Sequence, residues 1–396
     1  MISGSCKNFL RWMSVAGLLS VLAFALAVIV SNTGFAPWYA GIRSPMLGVS
    51  YGEAVLGRPV LVWINLALVS ALLFVVALEC KRGVTEEELA GPDRLRLPAL
   101  GALGGMLAAG AVHALLSKAQ GGSGALWVAS MGTDVALGLA VLSLLGERAP
   151  AALKSLFATM AMFSLLGSSV VLVVVQGGLP SWPVLTAAGA CATVFVCLRF
   201  AAVELVSPYV LTGAVLWAVA AGEGSLAVLA GPLTALFVPG RSRDASASPL
   251  LGLEQDLLPT VCCVALPILV FASAGFSPVE APAGSSTERE ALPAFLGMFP
   301  AKAAGIFGMC WMGTKLRLCA LPAGIGWKEF GGVALLGGAG FTVNVFLGLA
   351  LAGHDGPAVN EIRLAATAAS ALSVSCGYAI LRYTLARRRN KVIQRT

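Results

Sequence analysis

Charge is what this chain has least of. Asp, Glu, Lys and Arg make up 11% of its 396 residues, against about 25% in a soluble domain, so an ordinary water-facing surface cannot be built from it. Histidine occurs twice, at well-separated positions, and neither a G-x-S-x-G elbow nor a P-loop is present. That leaves no constellation for hydrolysis or nucleotide chemistry. The GGLPS and GGMLAAG stretches read as turn and packing glycines. Nine cysteines are spread without metal-ligand spacing. Cys191, Cys197, Cys262, Cys263, Cys310 and Cys376 sit within or beside apolar runs and read as small, polarizable core residues. Nothing calls for a cofactor, and the chain does not read as an enzyme.

What fills the chain instead is apolar: 58% of residues are hydrophobic and the mean hydropathy is +0.88. Runs of about 20 residues recur from end to end, each long enough to cross a ~30 Å hydrocarbon core. The reading is an all-α integral membrane protein, one polytopic domain over residues 1–396 with no soluble domain. Loop signals separate about twelve spans, centred near Leu22, Val69, Gly105, Ala136, Met162, Cys191, Val215, Leu229, Pro267, Ile306, Gly340 and Ala371. The first, from about Trp12 to Val30, is too long for a signal-peptide core and no A-x-A site follows it, so it reads as an uncleaved helix.

Net charge is +7, but its placement speaks for a bilayer and against nucleic acid. With both termini in the cytoplasm, roughly twenty Lys and Arg fall inside and about five outside (Arg43, Arg58, Lys118, Arg289, Arg363), as the positive-inside rule expects. Arg387, Arg388, Arg389 and Lys391 then anchor topology. The acidic run TEEEL at Thr85 shares an inside loop with Lys81, Arg82, Arg94 and Arg96 and reads as a solvated, self-neutralising turn. The longer connections are the polar Arg241–Gly252 loop and the outside loop beginning at Ser277.

Two spans are poor as plain helices. One reads WVASMGTDVALG, with Gly132, Thr133 and Asp134 at its middle. The other reads LLGGAGFTVNVF, with Gly337, Gly338, Gly340, Thr342 and Asn344 at similar depth. Each glycine loosens a helix by about 1 kcal/mol relative to Ala, so clusters invite unwinding, although membrane helices also use Gly for close packing. Gly-interrupted segments in corresponding positions of two halves mark the binding site in transporters built from inverted repeats. Here the repeats would run roughly over 98–176 and 293–385, with spans four and eleven broken.

Few ionisable groups fall inside spans. Burying Asp or Lys there costs about 2.5–3.5 kcal/mol, so Asp134 and Lys302 each need a reason. One reason is structural: a carboxylate balances exposed N–H groups at half-helix starts, and an ammonium balances carbonyls at half-helix ends. The other is functional, with Asp134 as the ion or proton binder. His113 reads as a hydrogen-bonded packing residue or a proton relay. Glu79 ends span two and is expected to pair with Lys81 or Arg82. Glu254 and Asp256 precede span nine and read as solvated charges or as an electrostatic lure at an entrance.

Several stretches carry a resemblance: VWINLAL at Val62, FVVALECKR at Phe74, GTDVALGLAVLSLLGERAPAALK at Gly132 and VLAGPLTALFVPGR at Val228. Further on come FASAGF at Phe271, AKAAGIFG at Ala301, LPAGIGWKE at Leu321 and GGAGFTVNVFLG at Gly337. From about Trp38 to Arg389 the chain resembles the NhaA family of sodium/proton antiporters. That resemblance implies twelve helices with the fourth and eleventh unwound and crossing, and a multi-pass protein of the bacterial inner membrane. It also implies exchange of Na+, with Li+ as a second cation, for H+. Thr133 and Asp134 match the family's Thr-Asp at the crossing, Lys302 its intramembrane lysine, and Glu254 an acid tied to the cytoplasmic entrance and pH response. A homodimer is implied through the Arg43–Arg58 segment, which resembles the family's dimer hairpin.

The pattern fails at the chemistry. Where the family resembles I-D-D-L-G, this chain has Phe163-Ser164-Leu165-Leu166-Gly167, so Ser164 and Leu165 stand at the twin-carboxylate positions. The family's W-I-N-D becomes Trp63-Ile64-Asn65-Leu66, and a usual histidine becomes Leu226. Adjacent buried carboxylates repel, which tunes a pair to hold either ion or protons. Ser164 offers one neutral oxygen and Leu165 none. Three readings remain. Antiport runs through Asp134, Thr133 and Ser164 with Asp134 as the Na+ ligand, helped or not by Lys302 as a second proton carrier. Alternatively the scaffold is retained for a binding or regulatory role without sodium transport. In the third, the ion has changed, to another cation or to an anion facing Lys302.

Overall fold

A computed structural model describes residues 4–43, 45–51, 54–86, 92–122, 124–177, 180–240, 248–275, 290–322, 324–352 and 357–393. In chain order its elements are α1 (Gly4–Ser31), α2 (Ala36–Arg43), β1 (Met46–Tyr51), β2 (Ala54–Pro59), α3 (Val60–Glu86) and α4 (Pro92–Ala119). After a short 3-10 helix, Ala125–Ser130, come α5 (Val135–Leu144), α6 (Ala151–Gln176), α7 (Trp182–Phe200), α8 (Ser207–Ala220) and α9 (Ala230–Phe237). The last group is α10 (Pro249–Thr260), α11 (Leu266–Ala274), α12 (Ala291–Leu296), α13 (Lys302–Lys315), α14 (Trp327–Leu336), α15 (Phe341–Ala352) and α16 (Pro357–Ile393). In lipid each backbone group must be bonded within its own segment, and apolar runs of this length therefore become helices. Their starts follow local chemistry. Ser248 accepts the Leu251 N–H at 3.3 Å ahead of Pro249, and prolines in the first turns of α7 and α8 sit where a missing N–H costs nothing.

Ten described helices are long and apolar enough to cross a membrane, or eleven with the bent pair α14 and α15 as one span. The difference from about twelve lies in Ser207–Phe237, one stretch by length where the sequence suggests two. Its backbone leaves helical geometry at Glu223 and at Gly224, whose φ of +75° favours glycine. A straight helix would hold Gly213 and Thr234 about 30 Å apart, yet a Cβ on Gly213 would lie 3.0 Å from Thr234 Cβ. The stretch therefore doubles back, α8 against α9.

The backbone groups into two compact units. The first comprises Met1–Val21, Gly91–Ser168 and Phe276–Thr396. It holds both stretches read as repeats, apart from residues 169–176. Within it α4 and α13 pack so closely that a Cβ on Gly104 would lie 3.1 Å from Met309 Cγ. The second unit comprises Leu22–Ala90 and Ser169–Gly275. Here α3 packs against α9, and the Lys81 ammonium donates to the Ala235, Leu236 and Val238 carbonyls at the end of α9, at 3.1, 2.6 and 2.6 Å. Tyr39 of α2 meets Phe271 of α11 edge to face at 5.3 Å. The Arg43–Arg58 segment contains an antiparallel hairpin, with Met46 opposite Pro59 and Tyr51 opposite Ala54. Most of TEEEL, the Arg241–Gly252 loop up to residue 247, and the loop from Ser277 up to 289 lie outside the described residues.

Candidate functional site

Both glycine-rich spans stop being helical near their middles. In the first, the 3-10 helix ends at Ser130, residues 131–134 carry no regular structure, and α5 begins at Val135. In the second, α14 ends at Leu336, Gly337 and Gly338 form a turn, and α15 begins at Phe341 with its axis bent by 42°. The two breaks touch. The Asp134 N–H donates to the Ala339 carbonyl at 2.8 Å. A Cβ on Gly340 would strike the Gly132 carbonyl, and one on Gly132 would strike Val343. Only glycine allows backbones this close.

Asp134 sits at this junction, 6% exposed, with extended backbone (φ −86°, ψ 105°). Its carboxylate caps α5, accepting the Leu137 N–H at 3.1 Å. From the other span Thr342, in the first turn of α15, turns its N–H and hydroxyl toward the same carboxylate. One carboxylate thus faces two helix starts, where bare N–H groups and the helix dipole favour negative charge. Lys302 is 1% exposed, and its ammonium donates to the Gly132 carbonyl, in the break itself. Thr133 Oγ1 lies 3.1 Å from both the Gly337 carbonyl and Ser164 Oγ. Ser164 in turn donates to the Met131 carbonyl at 2.9 Å. Ser164 and Leu165 are each 2% exposed, so the twin-carboxylate positions hold one committed hydroxyl and one packed hydrocarbon.

Asp134, Thr133, Ser164, Lys302, Thr342 and the glycines 132, 337, 338 and 340 therefore gather around one junction in the first unit. Glu254 does not join them. It stands in the second unit, buried rather than solvated as expected, because Arg82 Nε donates to its carboxylate at 2.8 Å. The same guanidinium bonds Glu79, the partner expected for it. Leu66 is buried in that unit too, and neighbouring Asn65 accepts the Ser273 hydroxyl at 2.9 Å.

His113 is fully buried, with Nδ1 at 2.7 Å from Ser130 Oγ and Nε2 at 2.9 Å from Glu290 Oε2. The Ser117 hydroxyl donates to Glu290 Oε1 at 2.6 Å. Burial alone would raise the Glu290 carboxyl, but the bonds from His113 and Ser117 hold it below its ordinary value. Two groups escaped the sequence reading. Glu290 was lost in a polar outside loop, with nothing to mark it as a partner for His113. Asn344 was noted only as a polar residue near a break. Its side chain is fully buried beside Gly132, and neither amide atom has a partner. Among the described residues no group of three or more His, Cys, Asp or Glu could hold a metal.

What the geometry offers is a buried carboxylate amid neutral oxygens at the joint of two interrupted helices. Such a group can hold a proton or a monovalent cation, one at a time. The protein is a multi-pass membrane protein, helical but for the β1–β2 hairpin, with this junction in its first unit.

The chain belongs to the Na+/H+ antiporter 1 family, whose model matches residues 7–381. It is 35% identical over 374 residues to the Na(+)/H(+) antiporter NhaA 1 of Pseudomonas putida, covering 94% of each chain. It is also 35% identical to the Na(+)/H(+) antiporter NhaA of Rhodospirillum rubrum, over 95% of this chain and 96% of the relative. Against the NhaA antiporter of Pseudomonas fluorescens it is 33% identical over 98% of both.

Proposed function

We propose that this protein is a sodium/proton antiporter of the bacterial inner membrane, moving Na+ out in exchange for H+ through a single carboxylate, Asp134. Asp134 binds Na+ or H+ in alternation. Thr133 and Ser164 add neutral oxygens, and Lys302 compensates the carbonyl end of a broken helix or carries a second proton. The observation that carries this reading is one buried acid bonded to both interrupted spans. The names of its relatives, Na(+)/H(+) antiporters, supply the two ions. Both termini lie in the cytoplasm, Glu254 serves the entrance through its pairing with Arg82, and the β1–β2 hairpin offers a dimer contact.

A second reading is favoured by Ser164 and Leu165, which are buried and, in the case of Ser164, bonded to the Met131 carbonyl. On it, the scaffold is kept without sodium transport, for a binding or regulatory role. A pH-sensitive dye assay on reconstituted vesicles, with Na+, Li+ and K+ across the neutral range, separates the two. Exchange in wild type that disappears in Asp134→Asn supports antiport. Exchange unchanged in Asp134→Asn rules out the single-carboxylate mechanism, and no cation response in wild type establishes the second reading. Restoring Asp at both 164 and 165 is the companion measurement: strong exchange in that variant alone would mean the scaffold still closes around a working site.

A further inference from the structure

We infer that the Asn344 carboxamide is a ligand of the transported cation, supplying its Oδ1 to the site that Asp134 anchors; this rests on the antiport reading above. The carboxamide is 0% exposed, and both its oxygen and its nitrogen lack a partner. A buried amide left unbonded is costly, and such groups persist where something else satisfies them. The backbone around it is in order, since the Asn344 N–H donates to the Gly340 carbonyl at 2.8 Å. The cost is therefore confined to the side chain.

That side chain lies between the two breaks. Its Oδ1 would be 2.8 Å from a Cβ on Gly132 and its Nδ2 2.5 Å from a Cβ on Gly340. Asn344 thus abuts the backbone two residues before Asp134 and the backbone that leads into α15. The polar side chains around Asp134 are otherwise committed. Thr133 and Ser164 bond each other and backbone carbonyls, Lys302 bonds Gly132, and Asp134 faces two helix starts. Two side-chain oxygens there are without a partner, Asn344 Oδ1 between the two breaks and Ser373 Oγ against Gly338, and of these only Asn344 also abuts Gly132.

The chemistry of the set selects the ion. With Lys302 in its neutral form, one carboxylate among neutral oxygens carries a single negative charge, which a monovalent cation cancels and a divalent cation overshoots. A planar guanidinium does not suit a joint closed by glycines, so a compact monovalent cation is the occupant the set suits.

The test is purified protein in detergent, comparing wild type, Asn344→Val and Asn344→Asp by thermal melting in NaCl against choline chloride. Valine removes an unsatisfied amide at similar size. It should melt higher than wild type in choline and lose most of the Na+-dependent rise, with the Na+ midpoint moved tenfold or more. Aspartate keeps an oxygen there and should keep the Na+ response. A Val variant that responds to Na+ with the wild-type midpoint overturns the inference. So does one that melts below wild type in choline, since the amide would then be satisfied within the protein, and so does a wild type indifferent to Na+. Vesicle exchange separates the failures. Na+ binding without exchange sinks antiport and leaves the ligand standing, whereas exchange with an unmoved Na+ midpoint in Asn344→Val sinks the ligand and leaves antiport.

Discussion

Asp134→Asn divides what the carboxylate does for the fold from what it does for an ion. The amide keeps an oxygen for the Leu137 N–H, 3.1 Å away in wild type, but removes the negative charge facing the starts of α5 and α15. A charge in the first turn of a helix is worth about 0.3–1 kcal/mol when exposed and up to ~2 when partly buried. Two helix starts then bring the loss to about 1–4 kcal/mol. With an unfolding entropy of ~2.1 cal/mol/K per residue over 396 residues, the melting temperature should fall by about 1–5 °C. Asp134→Ala should fall further. It leaves the Leu137 N–H without its acceptor, and an unsatisfied buried donor costs about 1–3 kcal/mol. Tryptophan fluorescence melts in one detergent at one scan rate give the order, since unfolding of such proteins is seldom reversible. The expected order is wild type, then Asn, then Ala. An Asn variant melting at or above wild type would refute the capping argument, because desolvating the charge would then outweigh both helix starts.

Three further outcomes follow from named contacts. Arg82, 1% exposed between Glu79 and Glu254, should cost about 3–5 kcal/mol on replacement by Met. Adding Glu79→Gln and Glu254→Gln should recover most of that, and a single Arg82→Met melt close to wild type would contradict the buried cluster. The Glu290 carboxyl is held below its ordinary value by His113 and Ser117 against burial. Its stabilisation is therefore present above the unfolded pKa and lost as pH falls through the folded one. The melting difference between wild type and Glu290→Gln should be flat from neutral pH to about 5 and shrink below about 4; growth on acidification would reverse the assigned sign. Gly340→Ala puts a methyl 2.5 Å from Asn344 Nδ2 and against the Gly132 carbonyl. It should cost about 1–3 kcal/mol and cut vesicle exchange at least tenfold, whereas Gly308→Ala on α13, with nothing within 4 Å, should do neither.

The junction was legible because glycine leaves a signature. Gly132, Gly337, Gly338 and Gly340 are wasteful in a helix, and their clustering around Thr133, Asp134 and Thr342 told where two spans would open. Apolar run length likewise gave most spans. The Ser207–Phe237 hairpin shows the limit of length, since its turn at Glu223 and Gly224 lies inside an almost unbroken apolar stretch. Long-range pairing was the least legible. Glu254 looks solvated in GLEQDLLP because its partner Arg82 is 172 residues away, and Glu290 meets His113 across 177. Neither separation leaves a local pattern. Asn344 reads as one more polar residue at a break until its amide is seen to bond nothing.

Placing one carboxylate at two helix starts has a consequence for exchange. On the antiport reading, a cation on Asp134 would draw the carboxylate away from the Leu137 N–H, and a proton would cancel the charge that favours that donor. Either ligand would then loosen the same junction, and ion occupancy would be coupled to how α5 and α15 meet. Lys302 differs. Its bond to the Gly132 carbonyl survives loss of a proton, because a neutral amine still donates. Asp134 cannot change its charge without disturbing the breaks, while Lys302 can. A cycle run by Asp134 alone moves one charge each way and is blind to membrane potential. Any dependence on potential must come from the group whose hydrogen bond tolerates both protonation states.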